Sequence, residues 1–463
     1  MKFNRQHYLE NIQKLFKLST PIFIAQLSMS GMGLSDIIMA GLVSDNDVSA
    51  LAVSNSIYFP LFLFVIGVIY AITPIVSYLN GSGQRELIAQ QIRQGYWIVF
   101  ILSIPLIIIF THSHWILDFM ETPPEFSIKS QHYLTIMAIG VIPALLMVNL
   151  RCLNDGLSTT KPAMFITFIG LLVNVLLNYI LIFGKLGFPE MGAVGCGVAT
   201  TIVNWVMFLL LLHYCYTTPS QKDIHLFDKW FERPNSAILC KITRLGLPIA
   251  FATFTEVMLF SASALLLSPL GAQVVASHQV ALQTSSLFFM IPFSFGIGVS
   301  IMVGQALGRK DVEEAKYLSY YAIGTALILA SITAVIIILF SHWIPYLFTQ
   351  NEVSVAMASY LLIFAAIYQL PDAVQAVCNG ILRGYKHTRS ITYITIFCYW
   401  GIGMPFGYIL SRTNWIVEPL GAKGFWMMFC VSLLIVAGLF FYQMRKIQRI
   451  PANELIDKLE NMK

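Results

Sequence analysis

STPIFIAQ (residues 19–26) and GLPIAFAT (residues 246–253) read as one phrase written twice, with Pro21 and Pro248 at matching places 227 residues apart. The match continues outward. VSYLNGSGQRE, with Gly81, returns as VGQALGRKDVE, with Gly308; LRCLNDG, ending at Gly156, returns within NGILRGYK at Gly384; and MGAVGCG, with Gly192, returns as LGAKGFW, with Gly421. A nearly constant offset over four landmarks implies a duplicated unit. Each copy holds six long apolar runs, an even number, so both copies start on the same side of a membrane and are parallel repeats.

The composition supports the membrane reading, because 57% of the 463 residues are hydrophobic and only 11% are charged, with a mean hydropathy of +0.73. A hydrocarbon core of ~30 Å takes about 20 mainly apolar residues per helix. Twelve runs meet that length, at about 15–42, 50–78, 93–113, 132–153, 163–184, 193–216, 243–270, 276–306, 318–347, 355–378, 389–411 and 419–443. They are continuous, whereas strands of a membrane barrel alternate apolar and polar residues. The expected fold is therefore an all-α integral membrane bundle of twelve helices in two six-helix parallel repeats. Residues 1–216 form an N-terminal lobe, 217–242 a cytoplasmic linker, and 243–463 a C-terminal lobe with a cytoplasmic tail. The charged N-terminal stretch precedes a full-length span with no small-residue cleavage site, so it reads as retained. Seven cysteines without metal-ligand spacing read as free thiols.

Orientation follows from the basic residues. With both termini cytoplasmic, 24 of the 28 lysines and arginines fall on the inner side, and only Lys129, Lys185, Arg412 and Lys423 fall outside. The net charge of +5 is thus a membrane-flanking set and calls for no nucleic-acid partner.

Three acids interrupt the apolar runs: Asp36 in span one, Glu256 in span seven and Asp372 in span ten. An ionisable group at the centre of a membrane helix is unfavourable by ~2.5–3.5 kcal/mol on insertion scales, so such groups normally face a wet interior and carry function. No lysine or arginine reads as deep enough to pair with them. Their neighbours are polar at helical spacing: Tyr368 precedes Asp372 by one turn, span eight carries Gln279, Gln283 and Ser286, and span five carries Asn174 and Asn178. Such oxygens with one or two carboxylates suit a small hard cation such as Na⁺. A desolvated carboxyl can equally carry a proton. For the amides, interhelical hydrogen bonding is an equal alternative. The acids do not follow the repeat, which implies one lobe built around Asp36 and another around Glu256 and Asp372. His278 stays open between packing and function. The HSH at 112–114 reads as an interfacial loop, and SDN in LVSDNDVS as loop chemistry. No GxxxxGK[ST] occurs, which argues against ATP hydrolysis, and three dispersed acids supply neither the nucleophile nor the metal cluster of an intramembrane enzyme. No cofactor is expected.

Taken in order, STPIFIAQ with GMGLSDIIMAGL, ASHQVALQTSSL, NDGLSTTKPAM with NGILRGYKHTR, and LLVNVLLNYILIFGKLG with GAVGCGVAT resemble the multidrug and toxic compound extrusion (MATE) family in its NorM-type bacterial branch, nearly end to end. The resemblance implies a V-shaped two-lobed antiporter of the inner membrane, acting as a monomer, that exports cationic or amphipathic drugs and dyes in exchange for Na⁺ or H⁺. It associates Glu256 and Asp372 with cation coupling and Asp36 with proton or substrate handling. Asn178 stands where relatives of other branches have a carboxylate, which weakens the case for a strong cation site in the first lobe. Phe288, Phe289 and Tyr368 are expected to offer cation–π contacts to a drug, with at least one of them packing against lipid instead. Ion uptake at Glu256 and Asp372 is expected to release a cationic drug outward. Pro371 is expected to free the Ile367 carbonyl as a further ligand. The rival transport reading is a flippase for a lipid-linked oligosaccharide, which calls for basic residues in the cavity.

Overall fold

A computed structural model describes residues 5–229, 232–348 and 351–460. Twelve helices in it are long and apolar enough to cross a membrane. They are α1 Leu9–Gly41, α2 Asp45–Gly81, α3 Glu86–Thr111, α4 Ser127–Gly156, α5 Lys161–Ile182, α6 Gly192–Thr217, α7 Ser236–Leu270, α8 Gln273–Gly308, α9 Val312–Phe340, α10 Glu352–Gly384, α11 Arg389–Arg412 and α12 Ala422–Gln448; a short amphipathic α13, Ala452–Glu460, follows. In hydrocarbon each backbone amide needs an internal partner, and a continuous helix supplies one. Several helices run past the apolar core: α10 ends at Gly384, where the sequence reading stopped at 378.

The duplication is written in the backbone. After α2, Gly83 turns into the left-handed region (φ 74°) and Gln84 N–H closes on the Leu79 carbonyl at 3.0 Å. After α8, Lys310 does the same (φ 64°), with Asp311 N–H on the Ala306 carbonyl at 2.9 Å. The pattern repeats after α4 at Ser158 (φ 63°) and after α10 at Lys386 (φ 56°). These are left-handed helix stops that satisfy the last carbonyls. Only one of the four is glycine, so the shared geometry outlasted the residue best suited to it.

By packing, the chain divides into one unit of Pro21–Ala250 and another of Met1–Thr20 with Phe251–Lys463. The divisions fall inside α1 and α7, beside Pro21 and just after Pro248, and not at the linker ends that the sequence suggested. In the second unit Phe16 of α1 meets Phe295 of α8 edge-on at 5.0 Å. In the first, Gly246 of α7 lies so close to the Val68 carbonyl that a methyl group would collide with it.

The linker is a strap on the first unit. Arg85 donates to Asp223 at 2.5 Å and to the Ser220 carbonyl at 2.8 Å, Arg93 to Glu232 at 2.8 Å, and Trp97 Nε1 to the Glu232 carbonyl at 2.8 Å. The Arg85 guanidinium holds the Asp223 carboxyl below the usual carboxylate range.

Candidate functional site

In the second unit, α7, α8 and α10 enclose a cavity of about 430 Å³, within the range of small-ligand sites. Each helix contributes one stripe at three- and four-residue spacing, the period that aligns side chains on one face. From α7 come Thr253, Glu256 and Phe260; from α8, Gln279, Gln283, Ser286, Phe289 and Phe293; from α10, Tyr368, Asp372, Gln375, Asn379 and Arg383. Small residues set the α8–α10 crossing: a methyl group on Gly380 would fall on the Gly296 carbonyl, and one on Gly296 would press on that of Ala376. Close backbone approach of this kind is how membrane helices associate without a hydrophobic driving force.

Glu256 and Asp372 thus open into one space and lie within electrostatic range of each other. Tyr368, Gln279 and Gln283 are there as the spacing indicated. Gln375 is added: it is 2% exposed and its Oε1 has no protein partner among the described residues.

Three readings are corrected. The acids are not remote from every basic residue, because Arg383 lines the same cavity, donates through Nε to Asn379 Oδ1 at 2.9 Å, and acts electrostatically on Glu256. Phe288 does not line the cavity, being one residue, about 100° of helix turn, from Phe289; Phe293 and Phe260 complete the aromatic wall. Ile367 and Pro371 are absent from the lining, and Ile367 is 54% exposed on the outer face of α10.

His278 is resolved as a structural residue. Trp426 Nε1 donates to its Nδ1 at 3.0 Å, its Nε2 lies 3.2 Å from Ser263 Oγ, and that hydroxyl donates to the Phe260 carbonyl at 2.8 Å. Indole is a donor only, so Nδ1 must be the acceptor and Nε2 carries the hydrogen. Trp426 in turn stacks on Tyr368, centroids 5.7 Å apart at 18°. The histidine fixes the tryptophan, and the tryptophan fixes the tyrosine beside Asp372.

In the first unit, Asp36 is wrapped in neutral donors. Asn174 and Asn178, one turn apart on α5, donate to Oδ1 at 3.2 and 2.6 Å, and Thr200 of α6 donates to Oδ2 at 3.3 Å. The expected trio is together, with Thr200 as a member that sequence reasoning missed. Two further acids there, Asp47 and Asp155, are buried. Asp47 binds Lys129 at 2.9 Å and the Ala193 N–H at 2.8 Å at the start of α6. Asp155 pairs with Arg151 one turn earlier on α4 at 3.5 Å. His112 and His114 sit at the end of α3, where His112 Nδ1 lies 3.1 Å from both Thr111 Oγ1 and the Ile108 carbonyl.

The MatE family profile matches the chain twice, over residues 21–180 and 248–409. The two matches start 227 residues apart, the offset of the repeat. A "Probable multidrug resistance protein NorM" of Haemophilus ducreyi is 67% identical over 463 residues, covering 100% of both chains. "Multidrug resistance protein MdtK" of Yersinia enterocolitica is 44% identical over 98% of this chain and 99% of its own length. Among solved structures, the "eukaryotic MATE transporter AtDTX14" superposes with a TM-score of 0.88 at 20% identity, covering 98% of this chain and 100% of that one, a likeness of fold. Twelve membrane helices in a duplicated unit, matched by the profile in both copies and by relatives along the whole length, make this chain a member of the MatE family of multi-pass membrane transporters.

Proposed function

We propose that this chain is a multidrug efflux antiporter of the bacterial inner membrane, with both termini cytoplasmic, that exports cationic or amphipathic organic compounds in exchange for Na⁺ or H⁺. The observation that carries the reading is the shared cavity, in which two carboxylates meet amide oxygens and an aromatic wall. The names of the relatives support the cargo class. Carboxylates attract a cation, Phe260, Phe289 and Phe293 accommodate the flat body of a dye, and cation–π attraction adds to both. Tyr368, Gln279, Gln283 and the Gln375 carbonyl supply oxygens for Na⁺, which favours Na⁺ over H⁺ as the coupling ion. Ion and cargo compete for the same charge, and exchange follows where the outward state prefers the ion and the inward state the cargo. Asp36, held by amide and hydroxyl hydrogens, suits a proton or a direct contact with cargo better than a metal ion. A flippase for a lipid-linked oligosaccharide is disfavoured, because one guanidinium beside two carboxylates is a poor seat for pyrophosphate.

The test is ethidium transport by everted membrane vesicles under imposed Na⁺ or H⁺ gradients. Asp372→Asn and Glu256→Gln each abolish gradient-driven transport while the protein still reaches the membrane. Wild-type rates in either variant refute the site, and transport that ignores Na⁺ but collapses with the proton gradient refutes the choice of ion.

A further inference from the structure

The histidine stretch at the end of α3 has a twin. Ser113-His114-Trp115-Ile116 returns letter for letter as Ser341-His342-Trp343-Ile344 at the end of α9, an offset of 228 residues. The geometry returns with it. Past each span the chain makes a tight helical turn, His114–Phe119 in one copy and Ile344–Leu347 in the other. In both, the imidazole meets the indole of the next residue edge-on, with ring centroids 5.5 Å apart at 75° and 6.1 Å apart at 78°. Each turn buries a residue at the same position, Leu117 or Pro345. Each exposes large apolar side chains at two others: Trp115 is 70% and Phe119 89% exposed, and Trp343 is 69% and Leu347 82% exposed. The exposure pattern has thus outlasted changes from Leu to Pro and from Phe to Leu.

Large apolar side chains facing water are unfavourable, so a pattern present in both copies calls for something that covers it. Its place in the fold identifies the cover. Ile104 and Ile108 are exposed on α3, as are their counterparts Ile332 and Ile336 on α9, and on membrane-spanning helices such residues face lipid. Trp115 and Trp343 take up that apolar surface again just past the span ends. By the count of crossings, the third and ninth spans end on the same membrane face, opposite the termini. We propose that the two SHWI turns are a duplicated lipid anchor. Trp115 with Phe119, and Trp343 with Leu347, insert into the interfacial layer of the bilayer and hold the ends of α3 and α9 at headgroup level. The rings and Leu347 lie on the upper acyl chains, while the indole N–H and the neighbouring imidazole reach phosphate and ester oxygens; an apolar body with a polar edge is what concentrates tryptophan at that depth. A second protein is the poorer occupant, because turns of six and four residues are far smaller than the roughly 20–30 residues a side of a stable interface.

Depth-resolved quenching of tryptophan emission tests the anchor, on purified protein held as one copy per phospholipid nanodisc. The quenchers are phosphatidylcholine brominated near the head of its acyl chains, the same lipid brominated near the chain ends, and iodide in the water. The share due to one ring is the difference between the wild type and Trp115→Phe, Trp343→Phe or Trp205→Phe. Trp205, exposed in the middle of α6, is the depth control. The emission of Trp115 and of Trp343 is expected to be quenched more by head-end than by chain-end bromines and little by iodide, with the order of the two lipids reversed for Trp205. Each substitution keeps an aromatic ring at an exposed position, so the fold is retained. Phe119→Ser and Leu347→Ser loosen the anchor, and each raises the iodide quenching of the tryptophan in its own turn. Quenching of Trp115 or Trp343 by iodide and not by lipid, quenching by neither, or the chain-end preference of Trp205 overturns the proposal, as does iodide quenching unchanged in both serine variants.

Discussion

Replacing the fully buried His278 by phenylalanine removes the acceptor for Trp426 Nε1–H and, with it, the weaker Nε2–H donor to Ser263 Oγ, whose own hydroxyl keeps its bond to the Phe260 carbonyl. His278 and Trp426 are both 0% exposed, so water cannot substitute. An orphaned buried donor costs about 1–3 kcal/mol. The indole then tilts in search of a partner, and Tyr368, stacked on it at 5.7 Å, moves with it. A single mutant therefore loses both stability and cation affinity, the latter by about tenfold if ~1.4 kcal/mol reaches the site. Removing both partners leaves no orphan, so His278→Phe with Trp426→Phe recovers most of the loss, a non-additivity of about 1–2 kcal/mol. The assay is thermal melting of purified protein together with ethidium displacement by Na⁺, across the four members of the cycle. Strict additivity, or a double mutant worse than either single one, refutes the account of His278 as the residue that positions Trp426.

Gly380→Ala puts a methyl group on the Gly296 carbonyl and separates α8 from α10; a loss of at least about 1–3 kcal/mol is expected from overpacking, read as reduced thermal stability and weaker dye binding. Pro371→Ala leaves the Na⁺ dependence of ethidium binding unchanged, because residue 371 lies outside the lining; a selective loss of ion-dependent release would restore the Ile367 carbonyl as a ligand. The Asp223–Arg85 pair contributes stability above the ordinary carboxylate pKa of 3.8 and loses it as pH falls through the lowered folded value. Limited proteolysis of the 217–235 strap is therefore expected to increase only in that acidic window, and only slightly, since the pair is largely exposed and screened by salt.

The twelve helices and their duplication were legible because bilayer thickness fixes how long an apolar run must be, and Pro21 with Pro248 supplied the register. Asp36, Glu256 and Asp372 were legible because an acid amid apolar residues has few other reasons to be there. Arg383 was missed for a specific reason: the apolar run ends near 378, so the arginine was counted among the cytoplasmic charges, whereas the helix continues to Gly384 and keeps its stripe. Extending the Tyr368–Asp372 spacing by the helical period would have reached Gln375, Asn379 and Arg383. His278 could not be decided from sequence, since its partner lies 148 residues away. Phe288 failed because neighbouring residues on a helix point in directions about 100° apart.

The packing units and the two halves of the chain do not coincide, since the opening segment to Thr20 belongs with Phe251–Lys463, and the first unit is complete only at Ala250. This sets an order on biosynthesis. The first unit cannot finish packing when its sixth span leaves the ribosome; it waits for the beginning of the seventh. The opening segment waits longer, for its companions lie more than two hundred residues downstream, a delay of about 10–50 s at ~5–20 residues per second. During that interval residues 5–20 are without the neighbours that they pack against in the finished fold. The gene is likewise poorly divisible: a cut at the linker separates each unit from a piece of itself, and two half-length chains must exchange those pieces before either can assemble.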